Sequence, residues 1–311
     1  MKKISIVIPT YNEEKNVEEM VNAVVSFCEK QLSSYDFEII FIDNASVDNT
    51  RLLIRKLCTD NIKIKAIFNT RNFGPSNSPY YGLLQATGDC AILMACDFQE
   101  PISLIADFVK KWEEGYKIVI GKKTSSRESS LMWRIRSLYY YMIRKMSINV
   151  EQISQFTGFA LYDKECLDNF KKLKDPTPFL RGLVAEFGFK RAEVYYSQPL
   201  RKAGKTSTSF FRLYDLAMLS FTSYTKIGLR IATFIGFFFS FFSLFVALFY
   251  FIYKLFNWNS FSLGMAPLVI GVFFMGGLQL FFLGLISEYI MSINTRIMNR
   301  PLVIEEERIN F

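Results

Sequence analysis

CAILMACDFQEPISLIADFVKKWEE, residues 90–114, decides the fold. Cys90–Ala95 is an apolar run that reads as a buried strand, Asp97 stands at its exit, and Pro101–Glu114 reads as a helix. Strand, polar turn and helix in that order form the unit of a mostly parallel sheet covered on both faces. The unit repeats on either side. Ile4–Ile8 is a strand ended by Pro9, and Asn12-Glu13-Glu14 is expected to open a helix with Asn12 as its cap. Phe37–Ile42 leads into the turn DNASVDNT and a helix through Cys58. Ile62–Phe68 and Lys117–Ile120 are further strands. The fold class is α/β.

In such sheets ligands bind beyond the carboxyl ends of the strands. Polar residues stand at four successive exits: Tyr11-Asn12-Glu13, Asp43-Asn44, Arg71-Asn72, and Asp97 with Gln99. They are expected to converge on one site. An acid after a buried strand with an amide two residues on can hold Mg²⁺ or Mn²⁺, because hard cations take carboxylate and amide oxygens and bridge diphosphates. The plainer alternative makes Asp97 the cap of the following helix.

Further along, KKTSSRESS (122–130) reads as a polar loop. Leu131–Met146 reads as a basic, aromatic amphipathic helix carrying Trp133, Arg134, Arg136 and Tyr140. Phe159–Tyr162 is a strand, and RKAGKTSTS (201–209) is a basic linker. FFRLYDLAMLSFTSY (210–224) reads as a helix lying on a membrane surface.

The C-terminal part changes character. Ile231–Tyr253 and Leu255–Ser287 contain no charged residue. About 20 apolar residues in helix cross a bilayer core, so each stretch is long enough to span. Lys226 and Arg230 precede the first span, Arg296 and Arg300 follow the second, and the connection KLFNWNSFSLG carries only Lys254. Positive residues stay on the cytoplasmic side, so the head and both termini are expected there, in a multi-pass plasma-membrane protein. Glu288, near the end of the second span, is expected to pair with Arg296 or Arg230. The start, MKKISIVIPTYNEE, reads as a strand rather than a signal peptide.

Composition narrows the chemistry. Lys and Arg number 37 against 29 Asp and Glu, a net charge of +8 that suits anionic headgroups and phosphorylated substrates. No nucleic-acid motif accompanies it. The absence of His excludes a His base or His-bound metal. The five Cys show no paired spacing and are expected to be reduced and buried. A dehydrogenase reading fails, since no GxGxxG follows the first strand.

VIPTYNEEKNV (7–17), FIDNASVDNT (41–50), RNFGPS (71–76) and ACDFQEP (95–101) together resemble a family 2 glycosyltransferase. With two terminal spans and GLISEYIMSINTRIMNRPLVI (284–304), the whole chain resembles the polyprenyl-phosphate hexosyltransferase branch, which includes dolichol-phosphate mannose synthases and bactoprenol glucosyltransferases. The resemblance implies a GT-A (Rossmann-like) head, a nucleotide-sugar donor, a Mg²⁺ or Mn²⁺ cofactor, and inverting transfer of a hexose to a polyprenyl phosphate. It places Pro9, Tyr11, Asn12, Glu13 and Asp43 at the nucleoside, with Asn44 and Asn72 beside them. Asp97 and Gln99 fall at metal and diphosphate. The resemblance to bacterial members implies a uridine donor in preference to a guanosine one.

Three positions depart from the family pattern. Ala95 replaces the first metal acid, Asn44 the second acid of the nucleoside turn, and Gly158 (with Ala160 for Arg) the acid near the reacting centre. A hydroxyl acceptor would need a base. A phosphate monoester, with its second pKa about 6, is already mostly dianionic and is its own nucleophile. It needs cations instead. Arg127, Arg136, Arg201, Lys202 and Lys205 are candidates, and Arg201 and Lys205, flanking Gly204, are preferred. Glu186 is a candidate substitute acid.

The expected organisation is a GT-A head at 1–206, a juxtamembrane amphipathic region at 207–229, two spans within 230–295 (about 231–253 and 265–290), and a tail at 296–311. The amphipathic helix offers a surface for self-association. Rival readings are a processive polysaccharide synthase, a transferase with a hydroxyl acceptor, and a non-catalytic membrane scaffold.

Overall fold

The computed structural model describes residues 1–125, 153, 155–173, 175–199 and 265–311, with isolated positions between 218 and 256. Eight strands form one sheet: β1 (Lys3–Thr10), β2 (Asp36–Asp43), β3 (Ile64–Asn69), β4 (Cys90–Leu93), β5 (Ile118–Ser125), β6 (Phe156–Asp163), β7 (Arg191–Ser197) and β8 (Glu305–Ile309). Their order is β7-β5-β6-β4-β1-β2-β3-β8. β1 to β4 are parallel, β6 lies antiparallel between β4 and β5, and β8 adds antiparallel to β3. The helices whose bounds fall among the described residues are α1 (Val17–Gln31), α2 (Thr50–Asp60), α3 (Gly74–Leu84), α4 (Leu104–Glu113), α5 (Lys164–Lys172), α6 (Leu180–Glu186) and α7 (Met265–Ile297).

The unbroken apolar runs follow from helices on both faces. Along β1, Ile4, Ile6 and Ile8 pack with Met20 and Val24 of α1 and Phe108 of α4. Val7 points to the opposite layer, with Tyr80 and Leu83 of α3. In β2, Ile39 and Phe41 join the first layer and Ile40 and Ile42 the second. All are wholly buried, and each contributes about 2 kcal/mol by leaving water. The result is a GT-A-like mixed α/β sheet.

Several elements differ from expectation. Asn12 does not cap α1. That helix starts at Val17 behind Asn16, and Asn12 takes a left-handed backbone with φ 57°. Its carboxamide oxygen accepts from Val47 N–H at 2.9 Å, so it ties the β1 exit to the β2 exit. α3 carries Pro75 and Pro79 and lacks a legible helical stripe. It lies close on the sheet because Gly82 has no side chain: a Cβ there would sit 2.8 Å from Ile42 Cγ2. KKTS at 122–125 extends β5 rather than forming a loop. β8, read as tail, is a strand.

Within α7, Phe274–Ile297 is long and apolar enough to cross a membrane, and large side chains such as Leu280 and Phe281 are exposed. The expected first span, the amphipathic segments at 131–146 and 210–224, and the basic linker lie largely or wholly outside the described residues. The chain then returns to the head. Arg296 lies 3.7 Å from Asp175, and Thr70 N–H donates to Ile304 O at 3.0 Å.

Candidate active site

The parallel core of the sheet puts the exits of β1, β2, β3 and β4 along one edge. Three of these exits bend through left-handed residues that are not glycine: Asn12, Ala45 and Phe98, with φ near 60°. Such backbone is sparsely populated and costs about 1 kcal/mol or more per residue, so it persists where surroundings enforce it.

At the β2 exit Asp43 is wholly buried. It accepts from Ser46 N–H at 3.0 Å, from the Ser46 hydroxyl, and from Thr10 Oγ1 at 3.4 Å. Arg51 Nε lies 3.6 Å from Asp43 Oδ2. Burial pushes the Asp43 carboxyl up, against the opposing pull of Ser46, Arg51 and Thr10. Glu13 is buried nearby. Its carboxylate accepts from Asn16 Nδ2 at 2.6 Å, and its N–H donates to Thr50 Oγ1 at 2.8 Å. Pro9 lines the neighbouring cavity, Tyr11 is half-buried and Asn12 is exposed.

Asn44 is occupied by the fold. Its amide donates to Asn72 Oδ1 (3.0 Å) and Gly74 O (3.2 Å), and its oxygen accepts from Phe73 N–H (2.8 Å) and Asn69 Nδ2 (3.3 Å). Asn72 Oδ1 also accepts from Gly74 N–H at 2.9 Å. An acid at 44 could make only the accepting half of this network. Asn44 therefore organises the β3–α3 turn, and with it Asn72.

At the β4 exit Asp97 is buried, and its Oδ1 accepts from Gln99 N–H at 3.2 Å. Glu100, absent from the expected site, is the residue that joins the departures. Its Oε2 accepts from Ala95 N–H at 2.6 Å, and Thr157 Oγ1, beside Gly158, donates to its Oε1 at 3.4 Å. Burial pushes this carboxyl up to about 7. The Ala95 N–H opposes the rise, Asp97 adds to it, and Lys123 and Thr157 oppose it. Gly158 has φ 113°, a backbone that a side chain strains. The acid missing there is thus missing from the backbone shape as well.

Ala95, Glu100, Thr157 and Gly158 border a cavity of ≈ 230 Å³ whose lining also includes Pro9, Ser76 and Arg181, while Asp43, Asn44, Asn72, Asp97 and Gln99 fall outside that lining. Arg181 was not expected at the site. It opens α6, and Glu186, at the other end of that short helix, is exposed and outside the lining. Arg127, Arg136, Arg201, Lys202 and Lys205 lie outside the described residues.

Among the described residues no three His, Cys, Asp or Glu side chains gather around one point. The β4 exit carries oxygen donors on Asp97, Gln99 and Glu100. These hard oxygens fit Mg²⁺ or Mn²⁺, which take remaining ligands from phosphate and water. The cysteines do not compete for this chemistry. All five are buried and free, and burial raises the Cys28, Cys58 and Cys166 thiols to about 12.

The model of glycosyl transferase family 2 matches residues 5–170. The SfII prophage-derived bactoprenol glucosyl transferase of Shigella flexneri is 30% identical over 303 residues, covering 97% of each chain. The uncharacterized glycosyltransferase YkoT of Bacillus subtilis (strain 168) is 33% identical over 304 residues, covering 96% of this chain and 89% of that one. The putative glycosyltransferase CsbB of the same organism is 32% identical over 304 residues, covering 98% and 91%.

Proposed function

The chain belongs to glycosyl transferase family 2, and from that premise we propose that it moves a hexose from a nucleoside diphosphate to a polyprenyl phosphate at the cytoplasmic membrane face. The observation that carries this reading is the extent of the likeness. It runs over 97% of the chain, apolar helix and tail included, to a relative whose name specifies bactoprenol glucosylation. The donor is a UDP-sugar, and the glycolipid product feeds modification of a cell-surface glycan.

The nucleoside lies against Pro9, Tyr11, Asn12, Glu13 and Asp43, with Asn44 and Asn72 shaping the adjoining turn. Asp97 and Gln99, with Glu100 beside them, would hold a divalent cation, which supplies positive charge to the diphosphate leaving group. The acceptor phosphate oxygen attacks the anomeric carbon, the bond to the diphosphate breaks, and the nucleoside diphosphate leaves with the electron pair. One in-line displacement inverts the centre. No base is required of the protein, in keeping with Gly158. Arg201 and Lys205 neutralise the two phosphates as they approach.

The head covers 1–206, a juxtamembrane amphipathic region 207–229, two spans lie within 230–295, and 296–311 returns to the head. Pairing of β8 with β3 supports this topology. A strand after the apolar region sits in the same sheet as strands before it, the arrangement expected of a chain that crosses an even number of times.

The test is a screen of radiolabelled nucleotide sugars with membranes containing the protein and undecaprenyl phosphate. Label should enter the lipid fraction from a UDP-hexose, only with the lipid phosphate and a divalent cation. Label reaching only a hydroxyl acceptor would replace the reading, and no hydrolysis or transfer from any donor would favour the scaffold.

A further inference from the structure

We propose that Glu306, on the strand that follows the apolar helix, is a positioning residue of the donor site, acting through Arg51 on Asp43. This rests on the reading of Asp43 as a nucleoside contact. The geometry is a relay. Arg51 is in the first turn of α2, its Nε 3.6 Å from Asp43 Oδ2 and its Nη2 2.7 Å from Glu306 Oε2. The guanidinium stands over the Phe68 ring of β3, 5.1 Å from its centroid. Arg51 Nε is buried without a hydrogen bond, so the guanidinium is oriented by Glu306 and the ring rather than by Asp43 itself.

The relay matters because of where Asp43 lies. A wholly buried carboxylate must stay ionised to accept from a nucleoside, and Arg51 is the one cation within ion-pair distance of it among the described residues. Glu306 reaches Arg51 only because β8 adds to the sheet edge beside β3. Asp43 and Arg51 fall within the residues matched by the family model, and Glu306 falls far outside them. The nucleoside end of the site is thus finished by chain that has already passed through the apolar helix.

The neighbouring pair gives an internal control. Glu307, next along the strand, binds Arg55 at 2.7 and 2.9 Å, and Arg55 stands over the same ring at 4.6 Å. It anchors β8 equally without touching Arg51 or Asp43.

The experiment measures UDP and GDP affinity and donor kinetics of the full-length protein in detergent, for Glu306→Gln, Glu307→Gln and Asp43→Asn. Because Glu306 is half exposed, its loss should weaken binding of the preferred nucleotide about threefold to fivefold. Donor KM should rise equally while kcat holds, and Glu306→Asp should recover part of the loss. Glu307→Gln should leave affinity within about twofold, the level at which an exposed ion pair goes unnoticed. Equal weakening by Glu306→Gln and Glu307→Gln would reduce the effect to strand anchoring and overturn the relay. So would loss of affinity in Asp43→Asn alone. Unchanged affinity in Asp43→Asn would instead remove the nucleoside reading of Asp43, and the relay with it.

Discussion

Glu38 and Asp43 stand five positions apart on β2, both buried, and their surroundings treat charge in opposite ways. At Glu38, burial alone would raise the pKa. Donors from Lys3, Ser5, Thr87 N–H and Lys65 outweigh it and hold the carboxyl down at about 2. The contacts are short: Ser5 at 2.5 Å, Lys3 at 2.7 Å and Lys65 at 2.9 Å. At Asp43 burial wins, with two hydroxyls, an N–H and a guanidinium at 3.6 Å in opposition. Glu100, at the β4 exit, is pushed up to about 7. One end of the sheet is neutralised by its own side chains. The other keeps carboxyls whose charge is incompletely met, and that is the end that suits a cation and a polar ligand.

The sharpest way to break this contrast is at the β4 exit. Asp97→Ala should abolish cation-dependent transfer while circular dichroism and the unfolding temperature stay close to those of the parent. Full transfer in that variant would remove Asp97 from the site. Next come the acceptor cations. Arg201→Ala and Lys205→Ala should each slow transfer on the order of 10²-fold, as loss of other charge-stabilising donors does. Glu186→Gln should do much less, because Glu186 lies exposed and away from the cavity. Inactivity of Glu186→Gln with normal rates in both cation variants would make Glu186 a base and point to a hydroxyl acceptor.

The neutralised end predicts a change in stability rather than rate. A carboxyl held near 2 in the fold, against 4.5 for an ordinary Glu, stabilises the folded state above about pH 4.5 and loses that contribution as pH falls toward 2. Glu38→Gln should therefore cost on the order of 3 kcal/mol at neutral pH, with the difference from the parent shrinking as pH falls from about 4.5 to about 2. Denaturant unfolding across that range checks it. A pH-independent difference would mean that shape rather than charge sets the loss.

The parts that were legible in the sequence are those written locally. β1 to β4 carry continuous apolar runs, and a polar residue follows each run at the carboxyl edge of the sheet, where the structure puts Asp97. What escaped depends on distant partners. α3 is a helix rich in Gly, Ser and Pro whose close approach to the sheet is set by Gly82 against Ile42. β8 is EEERI, an edge strand whose acids pair with Arg51 and Arg55 about 250 positions earlier, so its composition reads as tail. Glu100 follows Gln99 directly in the sequence. Its importance lies in bonding Ala95 N–H and meeting Thr157, and that contact is visible only once β6 lies beside β4. Asn12 reads as a helix cap because a polar residue precedes acids, yet the β2 loop competes for its side chain and wins.

Equilibrium binding of UDP with Mn²⁺, compared between the parent, Asp43→Asn and Glu38→Gln, tests the contrast most directly. The two substitutions sit on one strand and each removes one buried charge. Asp43→Asn should weaken nucleotide binding on the order of 10²-fold with little loss of stability, as expected when a buried charged contact to a ligand is removed. Glu38→Gln should keep parental affinity despite being the less stable protein. Loss of affinity in Glu38→Gln with parental binding in Asp43→Asn would contradict the assignment of the carboxyl edge as the donor site.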